Sequence, residues 1–196
     1  FIYLVHSDII HNFYGATLRG LIYSFHMPLF FILSCTTFRF STSKDEFIKK
    51  TKKAAKHLII PALITFILII LLQCMKDTSL IYNVEYWKNK FYTFIFSSVI
   101  ETTFAGFKVE PIGIQWFFFA LFFGRSIFDY IHLKIKSEES FFITTVILGL
   151  CGILCVKTQW LPFCIDIALA VMPFFYFGYW LKNYDISKRN LRRSII

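Results

Sequence analysis

His26 and Pro28 stand inside an apolar run, residues 24–34, that is long enough to enter a bilayer. An ionisable side chain at membrane depth is costly to bury and marks a substrate or proton path. Pro28 removes a backbone donor and loosens the helix around that path. The alternative for His26 is a neutral core histidine hydrogen-bonded to a neighbouring helix. Nearer the start, His6 is followed by Asp8 and His11. An imidazole titrates near neutrality, and a carboxylate partner would fix its tautomer, which suits a general base. Residues two apart on a helix do not face each other, so an Asp8 contact to His6 requires the helix to end there; otherwise the group is a polar helix terminus.

Three further sets carry charge or sulfur. Arg125 and Asp129 lie four apart and can pair on one helix face, which reads as a structural ion pair or a cytoplasmic-end anchor. Asp166 has no basic residue within one turn, so it is a candidate for a polar cavity, or for hydration at the outer surface. The basic run Lys49, Lys50, Lys52, Lys53, Lys56 and His57 meets the apolar Leu58, Ile59, Ile60 and Pro61. Lysines there could hold phosphates as point charges, or serve as a topology signal drawn to anionic lipid. Cys151 and Cys155 share a helix face, but without nearby histidine or carboxylate partners they read as packing residues, and no metal site is expected.

The elements that must position these groups are membrane helices. Hydrophobic residues make up 57% of the chain and charged residues 17%, and the mean hydropathy is +0.60. The net charge of +9 sits in short segments between apolar runs, where it sets topology, so no nucleic-acid partner is expected. Runs near the length of a span, about 20 apolar residues, end near Ile10 and cover residues 21–38, 57–74, 112–131, 141–156 and 162–181. The lysine cluster at 44–56 places residues 41–56 in the cytoplasm as a loop that becomes amphipathic, and 75–90 then reads as an outer loop with an interfacial Trp87. Residues 91–107, which include Glu101, are assigned to the outer interface, because a crossing there would put the basic tail outside. The expected fold is all-α: a polytopic integral membrane helical bundle of about six spans, in one domain over residues 1–196 of the cytoplasmic membrane. Phe1 lies within an apolar stretch, so the chain is expected to be part of a longer protein.

Five blocks in order resemble the membrane-bound acyltransferase family 3, which contains O-acetylases of surface polysaccharides and fucose 4-O-acetylase-like proteins. They are residues 1–8 with His6; residues 22–34 with His26, Met27 and Pro28; Leu58 to Pro61 after the basic run; Gln115, Trp116, Phe117 and Phe118; and Leu161 to Asp166 with Pro173 to Tyr179. The resemblance implies a membrane O-acyltransferase moving an acetyl group from acetyl-CoA to a carbohydrate hydroxyl. His6 would be the catalytic first-helix histidine and His26 its second-helix counterpart. Lys49, Lys50, Lys52, Lys53, Lys56 and His57 would face the CoA phosphates, and Trp116 is counted with the substrate-binding residues. The chain departs from the family pattern in three places. The basic residue upstream of the first histidine would precede Phe1, Cys35 stands where a glycine is usual and would widen a close helix contact, and His57 replaces an arginine or lysine. The competing readings are a transporter of envelope glycans, with His6, His26 and Asp166 along a polar path, and a non-catalytic membrane remnant.

Overall fold

A computed structural model describes the backbone of residues 13–97, 102–104, 107–158 and 161–194, and the side chains of 25–97, 109–155 and 161–184. It is helical throughout except for one short hairpin: α1 (Phe13–Thr36), α2 (Lys44–Lys76), α3 (Val84–Phe96), β1 (Thr102–Phe104), β2 (Phe107–Val109), α4 (Gln115–Lys134), α5 (Glu138–Thr158), α6 (Ile165–Ala170) and α7 (Met172–Ser194). The strands are antiparallel, with Thr102 opposite Val109 and Phe104 opposite Phe107. The chain divides into two compact units, residues 39–173 and residues 1–38 with 174–196.

In the larger unit, α2 begins at Lys44 rather than at the apolar boundary near residue 57, so most of the expected cytoplasmic loop is helix. Local chemistry explains this. Ser43 caps the helix by accepting from the Glu46 amide, and Glu46 accepts from the Thr42 amide at 2.9 Å and hydroxyl at 2.8 Å. Asp45 and Glu46 sit in the first turn, and Lys50 pairs with Glu46 at 2.8 Å one turn on. At 33 residues α2 is about 50 Å long, well beyond the roughly 30 Å of a hydrocarbon core. Its N-terminal turns therefore extend outside the apolar layer.

The strap before α2 is tied to α4. Ser41 donates its amide to Asp129 Oδ1 at 2.8 Å and its hydroxyl to Oδ2 at 2.7 Å. Lys50 donates to the carbonyls of Arg39 and Phe40, while the Phe40 ring lies 4.3 Å from His132 and 5.8 Å from Phe128. Asp129 was expected to pair with Arg125. Among the described residues the ion pairs are Lys50 with Glu46 and Lys90 with Glu110, and the Asp129 carboxylate serves Ser41, 88 positions away in the chain. Asp129→Ala would strand a buried amide and hydroxyl, each an unmet group costing about 1–3 kcal/mol, so the melting temperature of the purified protein should fall by several degrees. An unchanged melting curve would mean that the strap is held elsewhere.

Helices α4, α5 and α6 pack at close range, with Gly152 where α5 meets α6: a Cβ there would lie 2.3 Å from the Ala170 nitrogen and 2.7 Å from the Asp166 carbonyl. Residues 91–107 do not form one helix. After 13 residues, about 20 Å and too short to cross, α3 stops at Ser97, whose left-handed backbone (φ 48°) ends it, and the hairpin follows. Between α2 and α3 a 3-10 turn, Thr78–Tyr82, is capped by Asp77, whose Oδ1 accepts from the Ser79 amide at 3.0 Å. Hydrogen bonding to Ser79 holds the Asp77 carboxyl below its ordinary value of 3.8. The sign follows from that direction: the cap contributes fully above pH 3.8 and is lost as the pH falls below it. The Ser79 amide should therefore lose hydrogen-exchange protection on acidification in that range, and Asp77→Asn should remove the pH dependence.

In the smaller unit, α1 and α7 meet at Gly178, where a Cβ would lie 2.3 Å from the Ile32 carbonyl and 2.9 Å from Cys35 Cβ. Cys35, expected to widen a close helix contact, lies at this one. Cys35 is buried, and the glycine that permits close approach lies on the partner helix. Phe31 packs edge-on against Phe175 at 5.6 Å, and Lys182 donates to the Phe38 carbonyl.

Among the described residues, α2 and the 138–155 part of α5 are long and apolar enough to cross a bilayer. A third span results if Pro162–Ala170 and Met172–Tyr184 form one bent crossing; that run was expected as a single span and is instead interrupted at Val171. The run expected to end near Ile10 lies outside the described residues. Gln115, Arg125, Asp129 and His132 dilute the apolar content of α4, and α1, whose side chains are described from Phe25 on, is apolar over Phe25–Thr36.

Candidate functional site

His6, Asp8 and His11 lie outside the described residues. His26 is on α1 with its side chain exposed, its ring edge-on to Phe30 one turn later at 4.6 Å. That exposure does not fit a core histidine.

The basic run separates into roles that spacing alone did not distinguish. Lys50 is engaged by the Arg39 and Phe40 carbonyls and by Glu46, which makes it a structural cation. Lys49, Lys52, Lys53, Lys56 and His57 are exposed. A groove of about 430 Å³ beside them is lined by Asp45, Glu46, Ile48, Lys49 and Lys52, so two carboxylates oppose any anion placed in it.

A second polar group lies where α3, α4 and α6 converge; the sequence offered Asp166 for a polar cavity and placed Gln115 at the head of an aromatic block. Phe163 and Cys164 both have positive φ, 58° and 54°, which turns the chain sharply before α6 and places Phe163 beside Phe94, Phe119 and Phe123 at 6.0, 5.9 and 6.2 Å. Cys164 Sγ donates to the carbonyl of Ser97 at 2.8 Å, joining this turn to the end of α3. Within this convergence Thr93, Gln115 and Asp166 are each at least 98% buried, with exposures of 2, 2 and 1%. Asp166 Oδ1 accepts from the Ile167 amide at 2.8 Å. Among the described residues, Asp166 Oδ2, Gln115 Oε1 and Thr93 Oγ1 have no hydrogen-bond partner.

Such oxygens cost about 1–3 kcal/mol each unless a donor from water or a ligand meets them. All three can accept, so each suits a hydroxyl or water donor. Gly113, with φ +83°, turns the chain ahead of α4, and a Cβ there would lie 3.0 Å from Gln115 Oε1. Trp116 follows, half-buried, edge-on to Phe117 at 6.0 Å. The available sequence signal for Gln115 was an amide opening an otherwise aromatic run; Thr93 had none, because its burial depends on a turn 70 residues later in the chain. Among the described residues no histidine, cysteine and carboxylate group could hold a metal ion.

No curated protein and no solved structure matches the chain. A family model described as an acyltransferase domain matches residues 1–196, the whole of the sequence given. With long apolar helices and that match across every block, the chain belongs to acyltransferase family 3, the membrane acyltransferases.

Proposed function

We propose that the protein is an O-acyltransferase that moves an acetyl group from acetyl-CoA to a hydroxyl of a cell-surface carbohydrate at the cytoplasmic membrane. The observation that carries the reading is the family match over residues 1–196. His6 acts as the general base: its imidazole takes the hydroxyl proton as the oxygen attacks the thioester carbonyl. The tetrahedral intermediate collapses, the carbon–sulfur bond breaks, and the proton leaves with the CoA thiol. Donor phosphates approach from the basic end of α2, which the charge rule places in the cytosol, with Lys52 and His57 among the exposed basic groups there. His26 lines the acceptor path, and Trp116 offers an apolar ring face to a sugar.

The acceptor side is supported by the oxygens of Thr93, Gln115 and Asp166, which suit hydroxyl donors. Asp166→Asn preserves shape and the contact to the Ile167 amide while replacing an acceptor with a donor. It should raise the KM for a soluble oligosaccharide acceptor by up to about tenfold and leave the KM for acetyl-CoA unchanged, since a net hydrogen bond is worth about 0.5–1.5 kcal/mol. An unchanged acceptor KM would remove this convergence from acceptor binding.

A further inference from the structure

We propose that α2 carries a binding stripe for anionic phospholipid headgroups, formed by Lys49, Lys53 and Lys56. The stripe is the start of a longer line. Lys49, Lys53, Lys56, Ile60, Ile64, Ile67 and Leu71 follow one another at steps of three or four residues, so they share one face of a continuous helix. Every member is exposed: the lysines are open, and the four aliphatic side chains are 43 to 59% exposed. The opposite face carries the buried Ala62 and the half-buried Phe66, whose ring contacts Phe94 at 5.4 Å. In a membrane protein an exposed aliphatic line on a spanning helix faces acyl chains, and the same line continued past the apolar boundary faces the headgroups of that leaflet.

The axial distances fit. At 1.5 Å per residue, Lys56, Lys53 and Lys49 precede Ile60 by about 6, 10 and 16 Å. The headgroup layer on each side is roughly 5 to 8 Å thick, so Lys56 and Lys53 sit in or against it, with stems that can lie along apolar surface. Lys49 stands about a Debye length beyond, still within the field of an anionic surface. A free coenzyme is a poorer occupant of this face. A phospholipid presents a charged headgroup and acyl chains together, which match the lysines and the exposed aliphatic line that follows them on the same face of α2, whereas the coenzyme has no acyl chains for that line. The proposal concerns lipid and does not depend on which acyl acceptor the enzyme uses.

The experiment reconstitutes the purified protein in phosphatidylcholine nanodiscs, titrates in phosphatidylglycerol, and counts retained lipids by native mass spectrometry. A coenzyme A titration runs in parallel. Replacing Lys49, Lys53 and Lys56 together by Gln, which keeps helix propensity, should weaken phosphatidylglycerol retention by at least about tenfold, each lysine near an anionic surface being worth about fivefold. Lys53→Gln alone should give a smaller loss, and the triple change to Arg should restore retention. Lys88→Gln, on the exposed part of α3, should leave it unchanged. Phosphatidylglycerol retention equal to wild type in both the triple and the Lys53→Gln proteins would overturn the proposal. Loss of coenzyme A affinity with lipid retention intact would also overturn it and assign the stripe to the acyl donor.

Discussion

His6→Ala is expected to lower acetyl transfer by about 100-fold or more at matched membrane abundance, because removing a general base costs about 10² to 10⁴ in rate. The loss should appear in kcat with little change in either KM, since the base acts on the transition state rather than on binding. His26→Ala provides the comparison. Its ring is exposed on α1, so its removal costs little packing, and any fall in turnover reports a role along the acceptor path rather than misfolding. Near wild-type turnover in His6→Ala would take His6 out of the mechanism.

Gly152→Ala should be among the most destabilising single-methyl additions in the larger unit. The new Cβ would meet the Ala170 nitrogen at 2.3 Å, the Asp166 carbonyl at 2.7 Å and Ala170 Cα at 2.8 Å, all backbone atoms that cannot rotate away. Either α5 or α6 must move. Overpacking of this kind costs about 1–3 kcal/mol and sometimes more, a large part of the 5–15 kcal/mol that holds a typical domain together. Because the displaced segment carries Asp166, acceptor KM should rise along with the loss of thermal stability. Leu150→Ala, an exposed position two residues earlier on α5, should change neither by much. A Gly152→Ala protein with an unchanged melting temperature would mean that α5 and α6 do not approach as described.

What the sequence made legible follows what each signal measures. Hydropathy located the apolar parts of α1, α2 and α5, because a bilayer span demands a long run of apolar side chains whatever else the chain does. It misplaced the start of α2, because lysines end an apolar run without ending a helix. Lysine and alanine both favour helix, and the cap at Ser43 lies 14 residues before the apolar boundary at His57. Asp129 was assigned to Arg125 by the four-residue rule, which sees neighbours on one helix and cannot see Ser41, 88 positions away. The run at 162–181 looked continuous because the interruption falls at Val171, an apolar residue that hydropathy counts as part of the span. Asp166 stood out as a carboxylate without a cation, whereas Thr93 and Gln115 join it only through the packing of three helices.

The most direct test of the acyltransferase account is transfer itself, measured with membranes containing the wild-type protein, acetyl-CoA labelled in the acetyl group, and a panel of surface glycans and soluble oligosaccharides. The account predicts label on carbohydrate as an alkali-labile ester, with one CoA thiol released per ester formed and with both signals reduced about 100-fold or more by His6→Ala. Absence of labelled ester on every acceptor, from protein that is folded and present in the membrane, would contradict it. Movement of unmodified glycan across the bilayer in the same preparation would assign the protein to transport instead.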